Sequence, residues 1–538
     1  NNNHRIHHNY FGPRPVFGAN GGETLRIGTS HYSLTNSNTL VENNFFDRCS
    51  GEVEIISNKS GGNTYRGNTF FESRGTLTLR HGNGTLLENN LFDGNDAPYT
   101  GGVRVINAQQ TVRNNMFKDL TGTRFSGALV VMNGVPNSPI NRYHQVDGAL
   151  IENNTFENVG TIELGEGSDT ERSAVPINSR FENNVVIGSR DVTPFNLYDD
   201  MSGIEFSGNY TNHQPPIEIA AGFALLADAG AVPDAVGANG AFGVSKESTG
   251  VEWYPKPSNA SPFVGGKTIQ VQPGENQLAE ALASAEPGDE LVLADGNYNE
   301  AKSLNLQIPV TIRAATSGAV NLTFERRNLF LLSSNGGLKL SGLNVSGAAA
   351  PDNVGNSFIA STTRGGPGNH IVEMTDMNFD SFLVNRAFSI VTAAKGTFFD
   401  RVEVSNSTFK NISGVPFKFD AETDDFGIYN VEYLIIKDSS FSDVRGSITS
   451  VYRGGRDEST FGPHAFISGS SFERIGGEEA PLARLHGALN IKLLETTVNA
   501  SNPVRFVITT GIPKVKTGGN KNADGTSATF LITEDLRK

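Results

Sequence analysis

The chain has 538 residues, 37% of them apolar, and a formal net charge of −14. This length supports two or more domains with cores of their own, and the acidic balance argues against a nucleic-acid or membrane-surface partner. The single cysteine, Cys49, rules out an intrachain disulfide and reads as a core residue, and no apolar run reaches the length of a membrane-spanning helix.

The chain opens with Asn3-His4-Arg5-Ile6-His7-His8. On a strand, adjacent His7 and His8 would face opposite sides, so packing or hydrogen bonding is expected there in place of a transition-metal site. Further on, Gly51-Glu52-Val53-Glu54-Ile55, Gly75-Thr76-Leu77-Thr78-Leu79 and Gly101-Gly102-Val103-Arg104-Val105 repeat one pattern at offsets of 24 and 26 residues. Each alternates with period two, which is the mark of a half-buried strand. The period is too short for a strand plus a crossover helix and predicts coils of a parallel β-helix. Stacked about 4.8 Å apart, such coils would set Glu54, Thr78 and Arg104 in one outward column, with Arg26 beneath Glu54. Lys59 and Arg80, 21 residues apart, would share one edge, with His81 beside them.

An Asn-containing turn recurs at Asn44, Asn68, Asn90, Asn115, Asn154 and Asn184, with spacings of 24, 22, 25, 39 and 30. Asparagine tolerates left-handed backbone and bonds to neighbouring main chain, and the phenylalanine that follows most of these turns can stack inside a solenoid. The longer gaps mark inserted loops. One is Met132 to Gly148, whose Tyr143 and His144 are either cleft wall or plain surface.

The pattern breaks between Pro215 and Gly265. Ile217 to Ala229 is rich in Ala and Leu and is expected to be helical, with a Gly/Pro/Ser-rich linker after it. A second unit starts at Lys267, passes through a short amphipathic helix within Leu278–Asp289, and repeats Phe379, Phe409, Phe441 and Phe472 at spacings of 30, 32 and 31. The expected organisation is all-β: two right-handed parallel β-helix domains, 1–214 and 266–538, joined by a helix-containing linker, 215–265. Arg453, Arg456, Arg474 and Arg484 of the second unit are expected to serve as scaffold or interface.

The segments Asn20-Gly-Gly-Glu-Thr-Leu-Arg-Ile-Gly-Thr29, Gly51-Glu-Val-Glu-Ile-Ile-Ser-Asn-Lys-Ser60, Leu77-Thr-Leu-Arg-His-Gly82 and Gly101-Gly-Val-Arg-Val105, in this order, resemble polysaccharide lyase family six, which contains alginate lyases and chondroitinase B. The resemblance covers roughly residues 1 to 210 and lies nearer the alginate-cleaving members. It implies that Asn20, Glu52 and Glu54 are Ca²⁺ ligands, Lys59 the general base, Arg80 the general acid, and His81 and Arg104 substrate-binding residues. It also implies β-elimination on alginate, secretion or a periplasmic location, and a possible homodimer. Residue 1 already lies inside the repeat, so further coils and a cap are expected ahead of it, because a β-helix end exposes its core unless covered.

Read by themselves, two outward glutamates at this spacing are also ordinary surface residues. Their oxygen-only chemistry, with Asn20, suits a hard cation, Ca²⁺ before Mg²⁺, and not zinc. Between Gly51 and Arg104 there are five Lys/Arg and six Asp/Glu, so no basic patch exists and an acidic sugar would have to be held by individually placed cations. The alternatives are a dermatan sulfate or chondroitin lyase, a non-catalytic carbohydrate-binding solenoid, and a structural fibre.

Overall fold

The computed structural model describes residues 2–190, 193–227, 232–366, 368–477, 480–499 and 501–537. Among them the only α-helix is Gln277–Leu282, and nearly all regular structure is parallel strand. Two compact units form: Asn1–Phe17 with Gly21–Ser258, and Gly18–Asn20 with Asn259–Lys538.

The first unit is a parallel β-helix of three sheets, holding eight, nine and seven strands among the described residues. Each coil contributes one strand to each sheet. The third sheet orders Leu25–Gly28, Glu54–Lys59, Gly75–His81, Thr100–Val105, Leu129–Met132, Ile162–Glu166 and Phe195–Leu197 side by side, and it carries the residues singled out above.

Two ladders run up the interior. Asn44, Asn68, Asn90, Asn115, Asn154, Asn184 and Asn209 are fully buried. Each of the first six gives both its backbone N–H and its side-chain amide to Oδ1 of the next, as in Asn90 N and Nδ2 to Asn115 Oδ1 at 3.0 and 2.9 Å. A corner that would otherwise bury unpaired amides is thus satisfied coil by coil. The left-handed residue is the one before: Asn43, Asn89, Asn114, Asn153 and Asn183 have φ between 50° and 57°, and Gly67 and Gly208 take that place in the other two coils. Two residues after the ladder asparagine, Phe46, Phe70, Phe92, Phe117 and Phe156 stack at 4.5–4.8 Å between centroids. Cys49 is buried in the same core, where desolvation pushes its thiol up to about 12.

The 217–229 segment differs from expectation. It holds one 3₁₀ turn, Ala220–Gly222, then the strand Phe223–Leu225, which pairs with Asn209–Thr211 and extends the second sheet; residues 228–231 lie outside the described residues. Pairing on the open edge of the last coil overrides the helical preference of Ala and Leu. Beyond it the chain does not hang as a free linker. It descends the outside of the first β-helix in the reverse direction: Gly237 N to Asn183 O, Ala238 N to Thr155 Oγ1, Asn239 N to Asn114 Oδ1, Gly243 N to Asn89 O, Val244 N to Thr69 Oγ1, and Gly250 N to His8 O, all at 2.7–3.0 Å. Lys246 Nζ adds an ion pair with buried Asp47 at 2.7 Å. Gly243 has φ +62°, and a Cβ there would stand 2.2 Å from Thr69 Oγ1, so only glycine lets the strap lie this close.

The second unit is again a three-sheet parallel β-helix, with ten, ten and nine strands among the described residues. Its helix buries Leu278 completely and forms the cap expected there. Serine replaces asparagine in its ladder, with Met377 N, Ser407 N and Ser439 N donating to Oγ of Ser407, Ser439 and Ser470. Phe379, Phe409, Phe441 and Phe472 stack beside it. Arg453 is wholly buried, and Arg474 is tied to Asp443 at 2.7 Å.

The asparagine ladder yields a stability test. Asn115→Ala removes the acceptor for both Asn90 donors and leaves the carbonyls of Leu87 and Arg113 without their side-chain donor. Unpaired buried groups cost about 1–3 kcal/mol each, so urea unfolding should show a loss of at least about 2 kcal/mol.

Candidate active site and acidic centre

The outer face of the third sheet is set by two local irregularities in the strand Glu54–Lys59. Ile55 and Ile56 both face the core, so a bulge shifts the register between Glu54 and Ile56, and a second shift falls between Ser57 and Lys59. The outward column is therefore Arg26, Ser57, Thr78, Arg104, Val130, Glu163, Asn196. This corrects the expected column: Glu54 lies opposite Thr76, Arg26 opposite Ser57, and Lys59 opposite His81 and not Arg80. The reason is that period-two alternation holds only while the strand is regular, and each bulge resets it.

The bulge draws Glu54 back toward the preceding coil. Glu23, Glu52 and Glu54 each present a carboxylate oxygen, all within 4.8 Å of one another. Glu52 and Glu54 are buried, and Glu52 accepts from Gly21 N at 3.0 Å. Burial, then the charges of Glu54 and Glu23, push the Glu52 carboxyl up to about 8. Two arginines neutralise the cluster in part: Arg104 Nη2 meets Glu54 Oε1 at 2.5 Å, and Arg26 Nε meets Glu23 Oε1 at 3.0 Å. Three converging carboxylates, one of them, Glu52, without an ion pair among the described residues, are a donor set suited to a hard divalent cation. Glu23 lies within the Asn20–Thr29 segment, where the sequence pattern gives it no role. Its signal is its place three residues before Arg26, in the turn that enters the strand. Asn20 stands with the second unit, where its amide nitrogen donates to Asp457 Oδ2 and Ser459 Oγ, both at 3.0 Å.

Lys59 and Arg80 have no carboxylate partner among the described residues, unlike Arg26 and Arg104 beside them. Arg80 is held by other means. Its guanidinium carbon lies 3.9 Å from the centroid of the Tyr143 ring, and Nη1 donates to the Arg142 carbonyl at 3.4 Å. Such a face-on cation–π contact leaves the in-plane N–H groups free to bond elsewhere. The 132–148 insertion thus supplies a wall of the cleft through Tyr143. Arg142, on the same loop, is fixed by Glu171. His144 is half-buried beside Arg80, and its basicity is lowered by burial and by that charge.

His81 is fully buried, and neither ring nitrogen has a hydrogen-bond partner among the described residues. Burial, then the charges of Arg80, Lys59 and His144, push its pKa down to about 3. It is a neutral imidazole at any pH near 7, with two unused polar atoms next to two cations. Farther along the sheet the surface changes character. Ile106, Val130 and Met132 form a small apolar patch under Phe125 and Tyr143. Beyond it, buried Glu163 accepts from Tyr198 Oη at 2.8 Å and Asn196 Nδ2 at 2.9 Å, and Arg124 pairs with Glu166 at 3.0 Å. None of Phe125, Glu163, Glu166 or Tyr198 was picked out from sequence; they lie in coils whose irregular spacing hides their register.

At the start of the chain, His7 Nδ1 and His8 Nδ1 stand 3.0 Å apart, contrary to the opposite-face expectation, because His8 has φ 53° and leaves the strand. No third metal-binding side chain joins them among the described residues; the Glu23, Glu52, Glu54 set is the one such group there.

The depressed pKa of His81 sets a pH dependence. The unfolded imidazole binds a proton below about 6.5 and the folded one only near 3, so this residue's contribution to stability is present above 6.5 and is lost as pH falls toward 3. Urea midpoints between pH 7 and 4.5 should fall more steeply for the parent chain than for His81→Gln. Parallel profiles would contradict the assignment.

A family profile described as Chondroitinase B matches residues 1–224. Among solved structures, the PL6 family alginate lyase AlyGC is 46% identical with a TM-score of 0.93, over 99% of this chain and 76% of that one, and a mutant of AlyGC gives the same values. A mannuronic acid specific polysaccharide family 6 lyase from human gut microbiota is 37% identical over 44% of this chain and 54% of that one, at a TM-score of 0.39. No curated protein sequence gives a match. At that identity, across both β-helices, the chain belongs to polysaccharide lyase family 6 and is a polysaccharide lyase.

Proposed function

We propose that this lyase cleaves alginate by β-elimination at uronate residues, with Lys59 as base and Arg80 as acid. The observation that carries the reading is that these two cations, on the sheet that also holds Glu54, lack carboxylate partners among the described residues. The similarity to AlyGC, an alginate lyase, supports the choice of substrate.

In this reading Lys59 takes the proton from C5, a C4–C5 double bond forms, and the C4–oxygen bond breaks. The departing oxygen faces Arg80, which protonates it or holds it by in-plane hydrogen bonds. Tyr143 fixes the guanidinium before substrate arrives, so little reorganisation is needed during the reaction. Arg104 and His81 orient the sugar carboxylate and its neighbours. Glu23, Glu52 and Glu54, with Asn20 as the neutral ligand that the family resemblance implies, would hold Ca²⁺. A cation there would supply charge neutralisation to the uronate carboxylate, next to the carbon that loses its proton.

Incubation with alginate should produce ultraviolet absorbance from an unsaturated uronate, and dermatan sulfate should not; the reverse result would move the enzyme to the chondroitinase branch. Lys59→Arg keeps the charge but loses the neutral amine, so kcat should fall by at least about 10³-fold while oligosaccharide binding persists. Near-parental turnover would require another base. Chelation should abolish activity and Ca²⁺ restore it, with Glu54→Ala raising the Ca²⁺ requirement more than Asn20→Ala, because it removes a charged ligand. Full activity after exhaustive chelation would leave the acidic centre without a cation role.

A further inference from the structure

The second β-helix carries a groove of about 600 Å³ on the outer face of its third sheet. It crosses the strands Leu304–Leu306, Asn328–Leu332, Ser357–Ser361 and Ser389–Thr392. Leu331, Ala360 and Thr392 form one register column along its floor, and their modest size keeps that floor low. Arg327 and Arg364 stand at its rim, both exposed.

Several cations of the second unit are matched to acids: Arg313 to Glu290, Arg401 to Glu373, Lys437 to Glu403, Arg474 to Asp443. Arg327 bonds through Nε only to the Gly355 carbonyl at 3.4 Å, and neither it nor Arg364 has a carboxylate partner among the described residues. No residue lining the groove is acidic, although the chain as a whole carries a net charge of −14. None is aromatic either, so a ligand is not gripped by ring stacking. What the walls offer is amide and hydroxyl groups, from Asn305, Gln307, Asn328, Ser333 and Thr362, between two unpaired guanidinium groups.

We infer that this groove is a second, non-catalytic binding site for an acidic oligosaccharide. Guanidinium groups recognise carboxylates through paired N–H donors, and amide and hydroxyl side chains match sugar hydroxyls. The volume is within the ordinary range for a ligand cleft, roughly 300–1,000 Å³. The choice of a uronate chain as ligand rests on the reading of the enzyme as an alginate lyase. A polymer held here remains tethered to the enzyme after each cut, which raises its effective concentration at the catalytic face.

The test is equilibrium dialysis of labelled guluronate and mannuronate hexasaccharides against the full chain carrying Lys59→Arg, which prevents cleavage. Two hexasaccharides should bind per chain, and one per chain when Arg327→Ala and Arg364→Ala are added. Arg327→Glu with Arg364→Glu should abolish the second site at any salt concentration. On the wild-type background, Arg327→Ala with Arg364→Ala should leave turnover of a trisaccharide unchanged. One hexasaccharide per chain before the rim is altered, two after it, or equal occupancy by a neutral dextran oligosaccharide would overturn the inference. If the wild-type chain cleaves neither hexasaccharide and yet binds one in a manner that depends on both arginines, the alginate reading fails and the groove stands.

Discussion

Everything in this molecule follows from a repeat that places each residue about 4.8 Å from its counterpart in the next coil. At that spacing like stacks on like, and only some side chains tolerate it. Asparagine does, because one amide is both donor and acceptor, and the run from Asn44 to Asn209 is linked coil to coil by buried bonds. Phenylalanine does, through parallel rings. Carboxylates do not. Where Glu23, Glu52 and Glu54 meet, the same geometry that builds the core concentrates negative charge, and Glu52 responds by holding its proton. Catalytic potential here comes from residues the repeat would reject on an ordinary coil.

The sequence displayed the periodicity and hid the interruptions. Coil spacing, the Phe and Asn positions and the cap helix could be read because each depends on recurrence. The registry of Glu54 with Thr76 and of Lys59 with His81 could not, because Ile55-Ile56 reads as continuous alternation until one sees that both side chains are inside. His8 and the 217–229 segment failed in the same manner, each judged by its local type where backbone geometry or an open sheet edge decided. Glu23 was missed because it precedes the strand and has no place in the alternation. Tyr143 was only an even choice from sequence, since a loop 17 residues long does not disclose which of its side chains turns inward; the 3.9 Å contact with Arg80 does.

The two β-helices show how small a change separates scaffold from site. Both are three-sheet solenoids with a phenylalanine stack. The second builds its corner from serine, which offers one hydroxyl where asparagine offers an entire amide. Several of its outward cations are tied to carboxylates one coil away. On the first, acids gather at one point, and Lys59 and Arg80 of the same sheet stand without a carboxylate partner among the described residues.

The strap from Gly237 to Gly250 gives the first β-helix a property its coils do not have on their own. A solenoid is held by nearest-neighbour contacts, so its end coils can peel off singly, like the end of a spring. Here one stretch of chain touches Asn183, Thr155, Asn114, Asn89, Thr69 and His8 in turn. It acts as a tie rod. Loss of any one coil must loosen a member shared by the others, which couples distant coils and makes their opening a joint event. The strands Glu54–Lys59, Gly75–His81 and Thr100–Val105 lie in the middle of the spanned length, and their geometry is thereby insulated from fraying at either end.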